Sequence, residues 1–197
     1  MSRALFPTLL YEADLPDPAP LAELAYSIRT LAGDDDAGRR WSREHGYKGY
    51  TSYASLNDLP RRDPAFADFA RLALKHAATF SGELAFDLPR KLKLDSLWVN
   101  LLKGGGHHSA HIHPHSILSG TFYVEVPPGA GAIRFEDPRL GLMMAAPQHS
   151  VGPEGARGFV SVAPRPGQLL LWESWLRHEV LPGTAKAERL SISFNFS

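Results

Sequence analysis

The sequence predicts a mainly β protein of the α+β class: two facing antiparallel sheets closing into a jelly roll, with helices packed on the outside of one sheet. Three observations carry this expectation. Helical periodicity is confined to the part of the chain before Pro89. After it come short β-branched or aromatic segments separated by Gly and Pro turns. Helices first and a run of strands afterwards is the order of a sandwich or barrel with helices outside it. A chain of 197 residues suits a single domain, with residues 1–90 a helical N-terminal support region and 91–197 the jelly-roll core.

Residues 4–15 read as a short strand entering a Pro-punctuated turn. Residues 17–32 read as a helix, with Pro18 and Pro20 near its start and Gly33 after its end. From Asp34 to Arg62 the chain is polar, carries Gly46 and Gly49, and sets Trp41, Tyr47, Tyr50 and Tyr53 at no helical interval, so it reads as loop with at most one strand. At Asp63 a capping residue precedes Pro64, and Phe66, Phe69, Ala73, Ala77 and Phe80 recur every three or four residues, which predicts a helix over 63–80. Seven strands are then expected, over 91–103, 117–126, 131–136, 158–163, 167–173, 175–181 and 188–196. The segment 137–157, with Pro138, Pro147 and Pro153, breaks that rhythm and has the length of a lid or a substrate-facing insert.

Composition narrows the function. Hydrophobic residues make up 44% and charged residues 21%, ordinary globular usage, which argues against a disordered or collagenous chain. Lys and Arg number 21, as do Asp and Glu. With no net field to attract phosphate backbones or anionic lipid, neither nucleic acid nor membrane is expected as a partner. No stretch approaches a membrane span and no export signal is evident at the N-terminus, so a cytoplasmic location is the expectation. Cysteine is absent, which removes disulfides, thiolate metal sites and a Cys nucleophile together. Any metal must be held by His and carboxylates.

Five of the nine histidines, His107, His108, His111, His113 and His115, fall within residues 107–115. On a strand, His111 and His113 share a face and can offer ring nitrogens to one cation; His113 and His115 have the same spacing. A solvent-exposed polar loop around Gly104–Gly106 is the plainer reading. His178, on the strand of residues 175–181, is the candidate third ligand, although a single strand His is more often structural. Arg189 presents a planar fork suited to a carboxylate, and Ser191 shares its face; the plainer reading of Arg189 is an edge charge paired with Glu188 or Glu179.

The order of these parts resembles the double-stranded β-helix oxygenases that use Fe(II) and 2-oxoglutarate. A narrower resemblance rests on Trp98-Val99-Asn100, Gly105-Gly106, His111-Ile112-His113-Pro114 with Ser116 and Leu118-Ser119-Gly120, Asp137-Pro138-Arg139, Pro166-Gly167, Ser174-Trp175-Leu176 before His178, and Arg189 before Ser191-Ile192-Ser193-Phe194-Asn195. Over about residues 40–197 the chain is similar to a mostly uncharacterised bacterial branch of these oxygenases with an H-x-H metal motif. The resemblance implies a double-stranded β-helix (jelly roll), Fe(II) held by His111, His113 and His178, and 2-oxoglutarate as cosubstrate, with its distal carboxylate on Arg189 and Ser191. It selects the first His-x-His pair over the second. Where the broad superfamily places Asp or Glu as second ligand, this chain has His113, so the metal meets three neutral ligands.

Tyr123 and Asn100 are candidates to add hydrogen bonds to the keto acid, with core aromatic and edge polar residue as their other readings. No catalytic side chain beyond the ligands is expected. The implied activity is oxidation of an unknown small molecule or protein side chain, with decarboxylation of 2-oxoglutarate to succinate. Trp175, Met143, Met144, Arg134 and the 137–157 loop are candidates to line the second substrate's site. The alternatives are a cupin-like dioxygenase or isomerase that uses no keto acid, against which stands the lack of Glu shortly after His113, and a non-catalytic ligand-binding jelly roll. Oligomeric state is open, a homodimer among the options.

Overall fold

The computed structural model describes residues 3–15, 18–145 and 153–197. Among the described residues, ten strands form two antiparallel sheets. The larger has the order β1 (Tyr11–Asp14), β8 (Gln168–Glu173), β5 (Leu118–Glu125), β10 (Arg189–Phe196), β3 (Leu94–Leu102), β2 (Gly49–Thr51). The smaller has the order β4 (His108–His111), β9 (His178–Val180), β6 (Ile133–Glu136), β7 (Phe159–Val162).

Strand alternation sorts the larger sheet's side chains into two layers. One face carries Leu97, Val99, Phe122, Leu169, Leu171, Ile192 and Phe194, packed against α1 (Pro18–Asp34) and α3 (Pro64–Glu83). Phe66, Phe69, Ala73, Ala77 and Phe80 supply the α3 stripe, and the Asp63 side chain caps that helix by accepting from Ala65 N–H, as its sequence indicates. The other face looks into the space between the sheets, where Tyr123, Leu170 and Trp172 meet Ile133, Phe135 and Leu176 in a second, smaller cluster. A bulge between β5 and β10 pairs Leu190 with Glu125 but Ser191 with Tyr123. Beyond it Glu125 forms an ion pair with Arg29 of α1, while Tyr123 stays in the inner cluster.

The jelly roll with its external helices is therefore present, and several local expectations change. The first helix runs on through Gly33 to Asp34. Its expected start, at residue 17, lies outside the described residues, as does Pro147 of the long insert. The supposed loop 34–62 contains a helix, α2 (Asp36–Glu44), besides β2 and a 3₁₀ turn over Leu59–Arg61. That helix is polar and carries no apolar period; its start is instead set by Asp35, whose carboxylate accepts from Gly38 N–H at 3.0 Å. The segment over 175–181 turns before it becomes extended at His178. The strand bearing the His cluster ends at His111, so His113 lies just past it, its N–H donating to Ser174 O at 3.0 Å.

Candidate metal centre

His111 and His178 face each other across the β4–β9 ladder, which sets their rings 4.4 Å apart between centroids. Two residues on, His113 is drawn toward the same point by its bond to the turn ahead of β9. One ligand atom from each of the three lies within 4.8 Å of the other two. His107, His108 and His115 are outside this group. His115 sits in a turn at φ 71°, so the backbone there is not extended and the alternative pair of His113 with His115 has no shared strand face.

The donor chemistry fits a cation. His178 Nδ1 lies 2.9 Å from Leu176 O, and His111 Nδ1 lies 2.7 Å from Ser109 O. Each carbonyl makes Nδ1 the protonated nitrogen and leaves the Nε2 lone pair directed elsewhere. His113 Nε2 and His178 Nε2 come within 3.3 Å. Burial, reinforced by the neighbouring His111, pushes His178 down to about 3 and His113 to about 4, so both are neutral at neutral pH. Converging neutral lone pairs repel unless a cation joins them. The group contains no carboxylate, so a transition metal held here would meet three imidazoles among the described residues.

On the larger sheet, the register aligns Asn100, Ser191 and Tyr123 across β3, β10 and β5, with Arg189 two residues from Ser191. Arg189 is only 4% exposed. One guanidinium nitrogen donates to Gly131 O at 3.1 Å, and the group lies 5.5 Å from the centre of the Tyr123 ring. Its Nε is buried without a hydrogen-bond partner, and no ion pair to it is found among the described residues. Glu179, once its candidate partner, pairs with Arg134 on the minor sheet instead, at 2.5 Å. Asn100 is engaged by protein groups: Oδ1 accepts from Thr51 Oγ1 at 2.9 Å, and Nδ2 donates to Ser193 Oγ at 3.0 Å.

Two residues that sequence reasoning left unassigned join this wall. Tyr47, after α2, brings its hydroxyl 3.0 Å from His108 Nε2 and 3.4 Å from Asn100 Oδ1. Burial holds the Tyr47 phenol well above its usual range, and burial together with the Arg189 charge pushes His108 down to about 3. Both are therefore neutral hydrogen-bonding groups facing a guanidinium. Sixty-one residues separate Tyr47 from His108, and no local motif connects them. Of the residues suggested for a second substrate's site, Arg134 is turned to Glu179 and the Phe159 ring, Met144 is 95% exposed, and Trp175 is 47% exposed in the turn before His178.

The sequence matches the family described as "Putative 2OG-Fe(II) oxygenase" over residues 96–195, just over half of the chain. No curated protein matches it significantly by sequence. Among solved structures, a Pseudomonas putida prolyl-4-hydroxylase superposes with TM-score 0.65 at 18% identity, covering 96% of this chain and 92% of that one. The α-ketoglutarate-dependent epimerase SnoN from nogalamycin biosynthesis gives 0.67 at 15%, covering 96% and 76%. HygX from Streptomyces hygroscopicus, solved with nickel and 2-oxoglutarate bound, gives 0.61 at 14%, covering 96% and 82%. At these identities the likeness establishes the fold, a double-stranded β-helix.

Proposed function

This chain belongs to the 2OG-Fe(II) oxygenase family, and on that premise we propose that it hydroxylates an as yet unidentified substrate at the chamber between its two sheets. His111, His113 and His178 hold the iron. When bound, iron and keto acid supply the oxidising chemistry, in which R–H, O₂ and 2-oxoglutarate give R–OH, succinate and CO₂. The protein's own groups do the rest. Arg189 binds the distal carboxylate of the keto acid, with Ser191 beside it. Tyr47 and His108 close that end of the pocket as neutral donors and acceptors, and Asn100 holds Tyr47 in place. Phe135, Trp172 and Leu176 wall the chamber against bulk water, Trp172 with its ring 4.7 Å from that of His178.

The observation that carries this reading is Arg189: a buried guanidinium that forms no ion pair among the described residues is costly unless an anion joins it. A dicarboxylate whose other end chelates a metal has the right charges for the two ends of this chamber. The test is calorimetric titration of 2-oxoglutarate into anaerobic, metal-loaded protein. Wild type binds; Arg189→Lys keeps the charge but loses the fork, and Arg189→Ala loses both. Losing hydrogen bonds to a charged group costs about 1.5–3 kcal/mol, so affinity falls about ten- to a hundredfold, further in Ala than in Lys, while metal content stays unchanged. Unaltered affinity in Arg189→Ala, or no binding to wild type, overturns the assignment.

A further inference from the structure

A file of aromatic rings, which the keto-acid reading does not use, runs from the metal group to the protein surface. Trp98, on β3 and 6% exposed, has its ring centroid 6.0 Å from that of His113. Tyr53 meets Trp98 edge-on at 5.3 Å and is itself 55% exposed. Trp41 of α2 follows at 6.4 Å, and the exposed His45 stacks on Trp41 at 4.1 Å with 14° between the planes. Four successive ring contacts thus join a metal ligand to solvent. Burial of apolar surface does not account for the outer part of the file, because Tyr53 and Trp41 belong to neither core cluster. In a chain without cysteine, indole and phenol are also the side chains that give up single electrons most readily, and rings in contact pass a charge onward in short hops.

We propose that Trp98, Tyr53 and Trp41 form an electron-supply path that discharges the metal centre when turnover runs without a substrate C–H bond to attack. The inference rests on the oxygenase reading, which supplies the oxidant. Each event moves one electron inward, and two events with two protons balance one such turnover: 2-oxoglutarate, O₂ and two thiols give succinate, CO₂, water and one disulfide. Trp98 gives an electron to the oxidised centre, and Tyr53 returns one to Trp98 while its phenolic proton passes to water. Trp41 then refills Tyr53, which regains a proton from water as the Trp41 indole N–H releases one. A thiol in solution restores Trp41 with an electron and a proton, and two thiyl sulfurs join as a disulfide. The path protects the buried Trp98 and the imidazoles beside it from oxidation in place.

The experiment uses iron-loaded protein with 2-oxoglutarate and O₂ and no second substrate, after iron retention and keto-acid binding have been measured by titration. Two readouts are followed beside succinate release: electron paramagnetic resonance on freeze-quenched samples, and peptide mass mapping for oxygen added at Trp98 and the three ligand histidines. Wild type shows a tyrosyl or tryptophanyl radical and little oxygen at Trp98. Tyr53→Phe keeps the ring contacts but not the oxidisable hydroxyl; it retains iron and the early rate of succinate release, loses the radical signal, and accumulates Trp98 oxygen adduct several-fold faster. Trp41→Phe keeps a radical, now confined to Tyr53 and longer-lived. Succinate release with no aromatic radical in wild type, or equal Trp98 oxidation in wild type and Tyr53→Phe, overturns the path while leaving the oxygenase reading intact. Failure of wild type to retain iron overturns the triad reading and the path with it.

Discussion

His178 is 4% exposed, held by Leu176 O at Nδ1 and flanked by the rings of His111, His113 and Trp172, so its Nε2 has one direction in which to act. His178→Ala is expected to abolish stoichiometric iron, nickel or zinc in metal analysis while leaving the far-UV dichroism near wild type, because neither core cluster includes it. The same substitution at His115, outside the group, is expected to leave metal content unchanged. Tyr47 makes a finer test. Tyr47→Phe removes one hydroxyl and leaves His108 Nε2 without that partner, so 2-oxoglutarate affinity should fall by about 0.5–1.5 kcal/mol, less than for Arg189→Ala, at constant metal content. At this scale the sequence was most informative for His111, His113, His178 and Arg189, whose chemistry is rare and whose spacing is tight or matched to a motif. It said little about Tyr47 and His108, whose pairing exists only because β2 lies beside β3.

The short helix α2 depends on Asp35 more than on its own composition. The Asp35 carboxylate accepts from Gly38 N–H, from Tyr50 O–H at 2.8 Å and from Ser55 O–H at 2.5 Å, tying the helix start to β2 and the turn beyond it. Burial pushes this carboxyl up, but the bonds from Ser55, Gly38 and Tyr50 outweigh it and hold the group below its ordinary 3.8. A carboxyl that protonates less readily in the folded than in the unfolded chain contributes stability that is full above 3.8 and is lost as pH falls through its folded value. Asp35→Ala should therefore cost about 1–2 kcal/mol in urea unfolding at pH 7, and the gap between mutant and wild type should narrow in acid below pH 3.8. Gly49 is the other local requirement. Its φ is 139°, and a Cβ there would stand 1.9 Å from Leu101 O, so only glycine lets β2 close on β3. Gly49→Ala should displace Tyr47 and weaken 2-oxoglutarate binding while metal content is retained.

Across the molecule, the larger sheet and its helices form the main apolar core, while the metal group sits on the smaller sheet and the loop beside it. Metal bound only by the folded chain adds stability by mass action: at a hundredfold excess over its dissociation constant it contributes about 2.7 kcal/mol, or about 5–10 °C in Tm for a domain of this size. Differential scanning fluorimetry with nickel should show that rise in wild type and lose it in His178→Ala. The layered plan was readable from sequence because it follows from periodicity: a spacing of three and four in α3, and alternation in the strands, leave few ways to bury the apolar faces. The sequence by itself determined the two-layer β architecture, the helix of Phe66 to Phe80 and the absence of cysteine, and through a family resemblance it named candidates to hold a metal and a carboxylate. Only the tertiary structure decided that His111 meets His178 across a ladder, that Arg189 is buried with no ion pair among the described residues, that α2 exists, and that Tyr47, His108 and the file from Trp98 to Trp41 belong to the same region. The physical reason is range: periodicity and capping act over a few residues and are written locally, whereas register, bulges and loop closure join residues far apart in the chain and exist only once the sheets have formed.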